Sequence, residues 1–199
     1  MQILEYLHKR AAQRGEVMHG VKSCPEARLK AIGDRVFCET FKSLQLLGFT
    51  VLYYDFGMET DALTDFNNRM HEKNAELLDS ADRYDAAVEK IDKRWNCILS
   101  RKIMEFPYRQ RVKMMGGLPK GKVGLQSFNM ANMQSYSAIE SFLVLTFSVL
   151  MEKNKRFGKT QMDLFWANLK ANSENYAKGM TDQFIVEYFQ DQLNLQFNG

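Results

Sequence analysis

The sequence predicts an all-α fold: a tandem-duplicated helical unit, one copy in each half, forming one pseudo-symmetric helical domain. Three observations predict it. The stretch ETFKSLQLLGFTVLYYDFG, residues 39–57, is echoed by ESFLVLTFSVLMEKNKRFG, residues 140–158. Glu39, Thr40, Phe41, Leu44, Phe56 and Gly57 pair without a gap with Glu140, Ser141, Phe142, Leu145, Phe157 and Gly158, at an offset of 101 in a chain of 199 residues. Apolar residues recur at helical spacing through both halves. Only three prolines interrupt them.

The elements follow in order. Ile3, Leu4, Leu7 and Ala11 give residues 1–14 a helical face, which Gly15 stops. Ser23-Cys24-Pro25-Glu26 has the form of a capping box, with proline tolerated in the first turn. Leu29, Ile32, Val36, Phe37, Phe41 and Leu44 then form a long apolar face. The run FTVLYY favours a strand by composition. Its counterpart in the second copy is helix-forming, so the helix is expected to continue to about Tyr54, with Gly48 inside it at a cost of about 1 kcal/mol. Phe56-Gly57 is expected to end it, the glycine taking the left-handed conformation that closes a helix. A second helix from about Thr60 carries Leu63, Phe66, Met70 and Leu77. A third from about Asp82 carries Val88, Ile91, Trp95, Ile98 and Leu99.

In the second half, residues 142–151 form the longest apolar run. It is too short to span a bilayer, which takes about 20 residues, and reads as a buried helix. Thr160 with Asp163 forms a capping pattern. Met162, Phe165, Leu169 and Tyr176 repeat the face of the second helix. After Gly179 a last helix carries Phe184, Tyr188, Phe189 and Leu193. The organisation is an N-terminal helix and connection (1–22), a first helical unit (23–100), a join (101–124) and a second unit (125–199). The halves pack on each other, or the units exchange between copies in a homodimer.

Composition bounds the class. The hydrophobic fraction of 45% and charged fraction of 26% are those of a soluble globular protein. Cys24, Cys38 and Cys97 are odd in number and widely spaced, which points to reduced thiols in a cytoplasmic protein. The opening MQILEYLHKRAAQRGE turns charged at once, unlike a signal peptide. No membrane association is expected.

The join has its own composition. Arg101, Lys102, Arg109, Arg111, Lys113, Lys120 and Lys122 face a single acid, Glu105, so this segment carries +6 in a chain of net +3. MMGGLPKGKVG, residues 114–124, is a loop by its four glycines and proline. Such a run attracts phosphate backbones or acidic protein surfaces, and Phe106 and Tyr108 among the charges offer stacking faces. A solvated linker would have the same composition. These seven cations are the candidate contacts for a protein partner or a nucleic acid.

Catalytic and metal signatures are weak. RFGKTQ, residues 156–161, has the end of a phosphate loop, but Lys153 stands where its first glycine belongs. Glu16 and His19 have the spacing of a helical di-iron ligand pair, but Gly15 and Gly20 flank them. His8, His19 and His71 are scattered. Glu39 and Glu140, paired by the repeat, fit a helix-surface or capping role better than a catalytic pair. No cofactor, metal or enzymatic activity is expected.

The segments YYDFGMETDALTDFNNRM and KRFGKTQMDLFWANL resemble a pattern of small helical accessory proteins of phages of Gram-positive bacteria. There a helix ends in Phe-Gly and the next opens with apolar-x-x-Phe. This chain departs by carrying the unit twice and by lacking further glycine and basic residues after the first FG. The resemblance implies an all-α fold and a mobile-element origin, and it brings no catalytic residues. The expected function is therefore a non-enzymatic protein that occludes a host partner, such as a CRISPR nuclease of host defence or its nucleic-acid complex. A nucleic-acid-binding accessory of phage replication or recombination, and a self-assembling structural protein, are the alternatives.

Overall fold

The computed structural model describes residues 26–117, 124–180 and 183–192. Among them are eight α-helices and no strand. They are α1 Glu26–Tyr54, α2 Thr60–Leu78, α3 Ala81–Trp95, α4 Leu99–Met104, α5 Tyr108–Met114, α6 Leu125–Lys153, α7 Lys159–Ala177 and α8 Gln183–Gln192. The helix expected over 1–14, the residues Ser23 to Pro25 of the capping box, and Leu193 lie outside the described residues. No described helix is long and apolar enough to cross a membrane.

FTVLYY completes α1 rather than forming a strand. Phe49, Val51 and Leu52 are fully buried there, and packing of this kind outweighs local β-propensity. α1 and α6, both of 29 residues, form the most extensive contact of the fold. They pass along each other in the same sense: Gly33 lies against Met130 and Gln134, and Gly48, further along, against Phe142. Gly48 is more than a tolerated helix glycine. A Cβ there would lie 2.3 Å from Cζ of Phe142, whose ring is wedged against Phe41 and Phe165.

The 19-residue helices α2 and α7 cross over. α7 packs on α1, and α2 packs on α6. One main hydrophobic core results, with side chains from all eight helices, beside a small second cluster of Val36, Met115 and Ala131. At the margin of the main core the half-buried Phe56 ring meets those of Phe157 and Phe165, with centroids 6.2 and 6.1 Å apart. α3 closes the core with Ile91 and Trp95, both fully buried.

The two Phe-Gly turns differ. Gly57 is left-handed, at φ +64°, as expected. Gly158 is extended, at φ −135°, and is itself the N-cap of α7. α6 stops at Lys153, four positions before Phe157, whereas α1 reaches Tyr54, two before Phe56. The expected Thr160–Asp163 cap is also displaced. Gln161 Oε1 accepts the Gly158 amide at 3.1 Å, and Asp163 Oδ1 accepts Trp95 Nε1 at 2.7 Å. The third helix, expected to carry Ile98 and Leu99, ends at Trp95; Ile98 is instead the N-cap of α4 and is exposed, while Leu99 is buried as expected. In α8 Phe184, expected inside, is exposed and its neighbour Ile185 is buried, a slip of one residue where a short helix begins after a turn.

An ionic link ties α2 to α6. Glu152 accepts hydrogen bonds from Arg69 Nη2 at 3.0 Å and Nε at 3.2 Å and pairs with Lys73. Burial pushes the Glu152 carboxyl up, but the bonds from Lys73 and Arg69 outweigh it and hold it below the ordinary range.

Two outcomes follow from this packing. Gly48→Ala gains about 1 kcal/mol of helix propensity but overpacks the crossing, at about 1–3 kcal/mol. Its thermal midpoint falls, and Phe142→Leu in the same chain restores part of the loss. A midpoint raised by Gly48→Ala would contradict this contact. The depressed Glu152 carboxyl contributes stability above the ordinary glutamate value of about 4.3, and that contribution is lost as pH falls through the lower folded value. Glu152→Gln therefore loses about 1 kcal/mol or less at neutral pH and shows a shallower fall in thermal midpoint on acidification. Parallel acid profiles for the two proteins would refute the link.

Candidate functional site

The join is built from the inside outward. Asn96 ends α3 in the left-handed conformation, φ +56°. Asp92 Oδ1 then accepts the Leu99 amide at 2.7 Å and starts α4. Leu99 and Ile103, one turn apart, are buried, and so is Phe106. Pro107 sits at the N-cap of α5 with φ −62°, a position that needs no amide hydrogen. Gln110, Arg111 and Met114 face inward along α5. Ser173 Oγ donates to Gln110 Oε1 at 2.6 Å, and Ser43 Oγ donates to the Met114 carbonyl at 3.3 Å. These bonds fix α5 to α7 and α1. Gly116 and Gly117 then turn the chain with φ of +71° and +87°, a conformation that glycine adopts without strain.

This frame sorts the seven predicted cations. Arg101, Arg109 and Lys113 are exposed. Lys102 is half-buried, 3.5 Å from Glu105 and 6.0 Å from the Trp95 ring. Lys120 and Lys122 lie outside the described residues. Arg111 departs from its expected role as a surface contact, being only 4% exposed. Phe106, expected as a stacking face, is likewise in the core. Tyr108 remains 46% exposed.

Arg111 is a buried cation held by neutral groups. Its Nη1 donates to Asn132 Oδ1 at 2.6 Å and to Ser135 Oγ at 3.1 Å. Its guanidinium lies 4.0 Å from the Tyr136 ring centre and 5.5 Å from that of Tyr108. Burial lowers its pKa, yet a guanidinium stays charged. Aromatic faces stabilise such a desolvated cation by about 2 kcal/mol. Arg111 thus anchors α5 to α6 and is not available to a partner.

The exposed residues of α4, α5 and the start of α6 include both apolar and cationic groups. Met104 is 66% exposed and Leu125 53%. Tyr108 meets Phe128, one helical turn from Leu125, at 6.3 Å. The single acid of the join, Glu105, is shared by Lys102 and by Lys170 at 3.8 Å. Arg101, Arg109 and Lys113 have no ion-pair partner among the described residues.

The other candidates lie on different helices or outside the described residues. His8, Glu16 and His19 are not among the described residues, and His71 is exposed. Glu39 is half-buried on α1 and Glu140 is buried in α6. No group of three His, Cys, Asp or Glu side chains suited to a metal occurs among the described residues. A helix, α6, precedes RFGKTQ. Cys97 is half-buried, and desolvation pushes its thiol up to about 11, away from nucleophilic use at neutral pH.

One basic surface was not legible in the sequence. Arg94 Nε donates to the Phe157 carbonyl at 3.0 Å and its Nη2 to the Lys155 carbonyl. This brings Lys90, Lys93 and Arg94 of α3 beside Lys155. The signals were present separately, as cations opposite Ile91 and Trp95 and as the run KNKR at 153–156. Only the tertiary contact unites them.

The chain matches no family model, no curated protein and no solved structure.

Arg111 and Arg109 are two residues apart yet should behave oppositely. Arg111→Ala loses on the order of 2–4 kcal/mol in urea denaturation, since hydrogen bonds and cation–π packing disappear together. Arg109→Ala stays within about 0.5 kcal/mol. Equal effects on stability would overturn the assignment of Arg111 as an anchor.

Proposed function

We propose that this chain is a non-enzymatic binding protein that acts stoichiometrically, covering part of an acidic partner protein with the outward side of α4 and α5. One observation carries the reading. Met104, Tyr108 and Leu125 are exposed large apolar side chains, and the exposed cations Arg101, Arg109 and Lys113 lie on the same short helices as two of them. Tyr, Met and Arg are enriched where proteins meet, and binding energy concentrates in such anchors. Unpaired cations beside them select a partner of opposite charge and speed its approach.

The phage-like Phe-Gly segments are the ground for placing that partner in a bacterial host. A defence effector such as a CRISPR nuclease, or its nucleic-acid complex, is the class this reading expects. The rigid support is a duplicated unit in this proposal. Its support is the equal length of α1 and α6 and of α2 and α7, and the burial of Leu63, Phe66 and Met70 at the spacing of Met162, Phe165 and Leu169.

The test is capture of a partner from a bacterial host by the tagged chain, with and without nuclease, using wild type and Arg101→Glu/Arg109→Glu/Lys113→Glu. The expected result is a protein that survives nuclease treatment and is lost with the triple variant, whose circular dichroism is unchanged. A captured protein that binds both forms equally would move the interface elsewhere. Recovery only of nucleic acid would replace occlusion of a protein by the replication-accessory reading.

A further inference from the structure

We infer that a second, separate surface binds the phosphate backbone of duplex nucleic acid: the groove between α3 and the turn joining α6 to α7. The groove is shallow and open, with a volume of about 530 Å³. Ala86 and Met151 are its apolar lining, and Lys90, Lys93, Arg94 and Lys155 bring four cations to it. Its one carboxylate, Glu89, is engaged by Lys93 at 2.7 Å. Lys153, Arg156 and Lys159 extend the positive surface and are exposed.

Helix electrostatics do not account for this cluster. Cations in the last turn of a helix complement its macrodipole, which covers Lys93 and Arg94 of α3 and Lys153 of α6. Lys90 lies a turn further in. Lys155 and Arg156 are in the turn, and Lys159 opens α7, where a positive charge opposes the dipole. Lys159 is compensated by Asp163. Lys90, Lys153, Lys155 and Arg156 have no ion-pair partner among the described residues, so their mutual repulsion is an uncompensated cost in the free protein.

The turn is also held firmly. Arg94 binds two of its carbonyls, Asn154 Oδ1 accepts the Arg156 amide at 2.9 Å, and the Phe157 ring is buried against Phe147. Cations on such a support offer an anion preformed geometry rather than floppy charge.

The chemistry selects among anions. No aromatic side chain lines the groove, so it lacks the stacking platform that single strands use. Positive side chains without base-reading or stacking groups engage phosphates and leave sequence unread. A face of several cations spread over two elements suits the repeated charges of a duplex backbone. This surface draws on none of the residues assigned to the protein partner.

The experiment is fluorescence anisotropy of a labelled mixed-sequence DNA duplex titrated with the full chain over a range of salt. About four phosphate contacts predict that log K falls with log salt with a slope of about −4. Lys90→Glu/Lys155→Glu/Arg156→Glu should weaken binding at least tenfold and flatten the slope. Arg28→Glu/Lys30→Glu/Arg35→Glu, on exposed α1 positions, changes net charge equally and should retain binding. So should the Arg101/Arg109/Lys113 variant, which separates this test from that of the protein partner. No duplex binding at low salt, or equal losses in both lysine-containing control and groove variants, would overturn the inference. Tighter binding of polyglutamate than of duplex, lost in the groove variant, would assign the groove to an acidic peptide instead.

Discussion

Where α1 crosses α6, the ring of Phe142 occupies the space that a side chain on residue 48 would fill. Everything else is arranged about that close approach. It lets two 29-residue helices lie side by side, and each then presents a flank to the second helix of the opposite half. Phe142, Phe147, Phe157 and Phe165 share edges and faces in one aromatic cluster. An interior packed this way responds to small volume changes, because its atoms already sit near crystal density.

Much of the fold was legible because it is periodic. The faces of α2 and α7 could be read residue by residue: Leu63, Phe66 and Met70, and Met162, Phe165 and Leu169, are all buried. The helical state of FTVLYY was expected from the helix-forming composition of the matching positions 149–155, although the helix there stops at Lys153. What failed was local geometry decided at a distance. Gly158 is extended because α6 ends early and Gln161 caps the next helix, and neither fact is written in the pair Phe-Gly. Ile98 was placed on the third helix because nothing in the apolar period marks the break at Asn96, and Phe184 was placed one residue out of phase because no long period constrains a short helix after a turn.

The site was legible as charge and illegible as exposure. Seven cations in the join were visible at once, yet composition does not say which face of α5 turns inward. Arg111 is consumed by the structure, held by Tyr108, Tyr136, Asn132 and Ser135. Arg109, two residues earlier, is not. The groove beside α3 was hidden for a different reason. Lys90 and Lys155 are distant in sequence and meet only because Arg94 reaches the carbonyls of the α6–α7 turn. Arg111 thus serves the architecture, while Arg101, Arg109 and Lys113 of the same join stay exposed.

The crossing of the halves also has a consequence in time. During synthesis α1 leaves the ribosome with Leu44, Leu47, Phe49 and Leu52 destined for burial, but its principal partners, α6 and α7, are still to come. At the usual pace of about 5–20 residues per second, roughly a hundred residues of delay leave that face uncovered for about 5–20 s. Apolar surface left uncovered in this way is what makes partly folded chains prone to aggregate. The order of the helices along the chain therefore bears on the route to the fold as well as on its final stability.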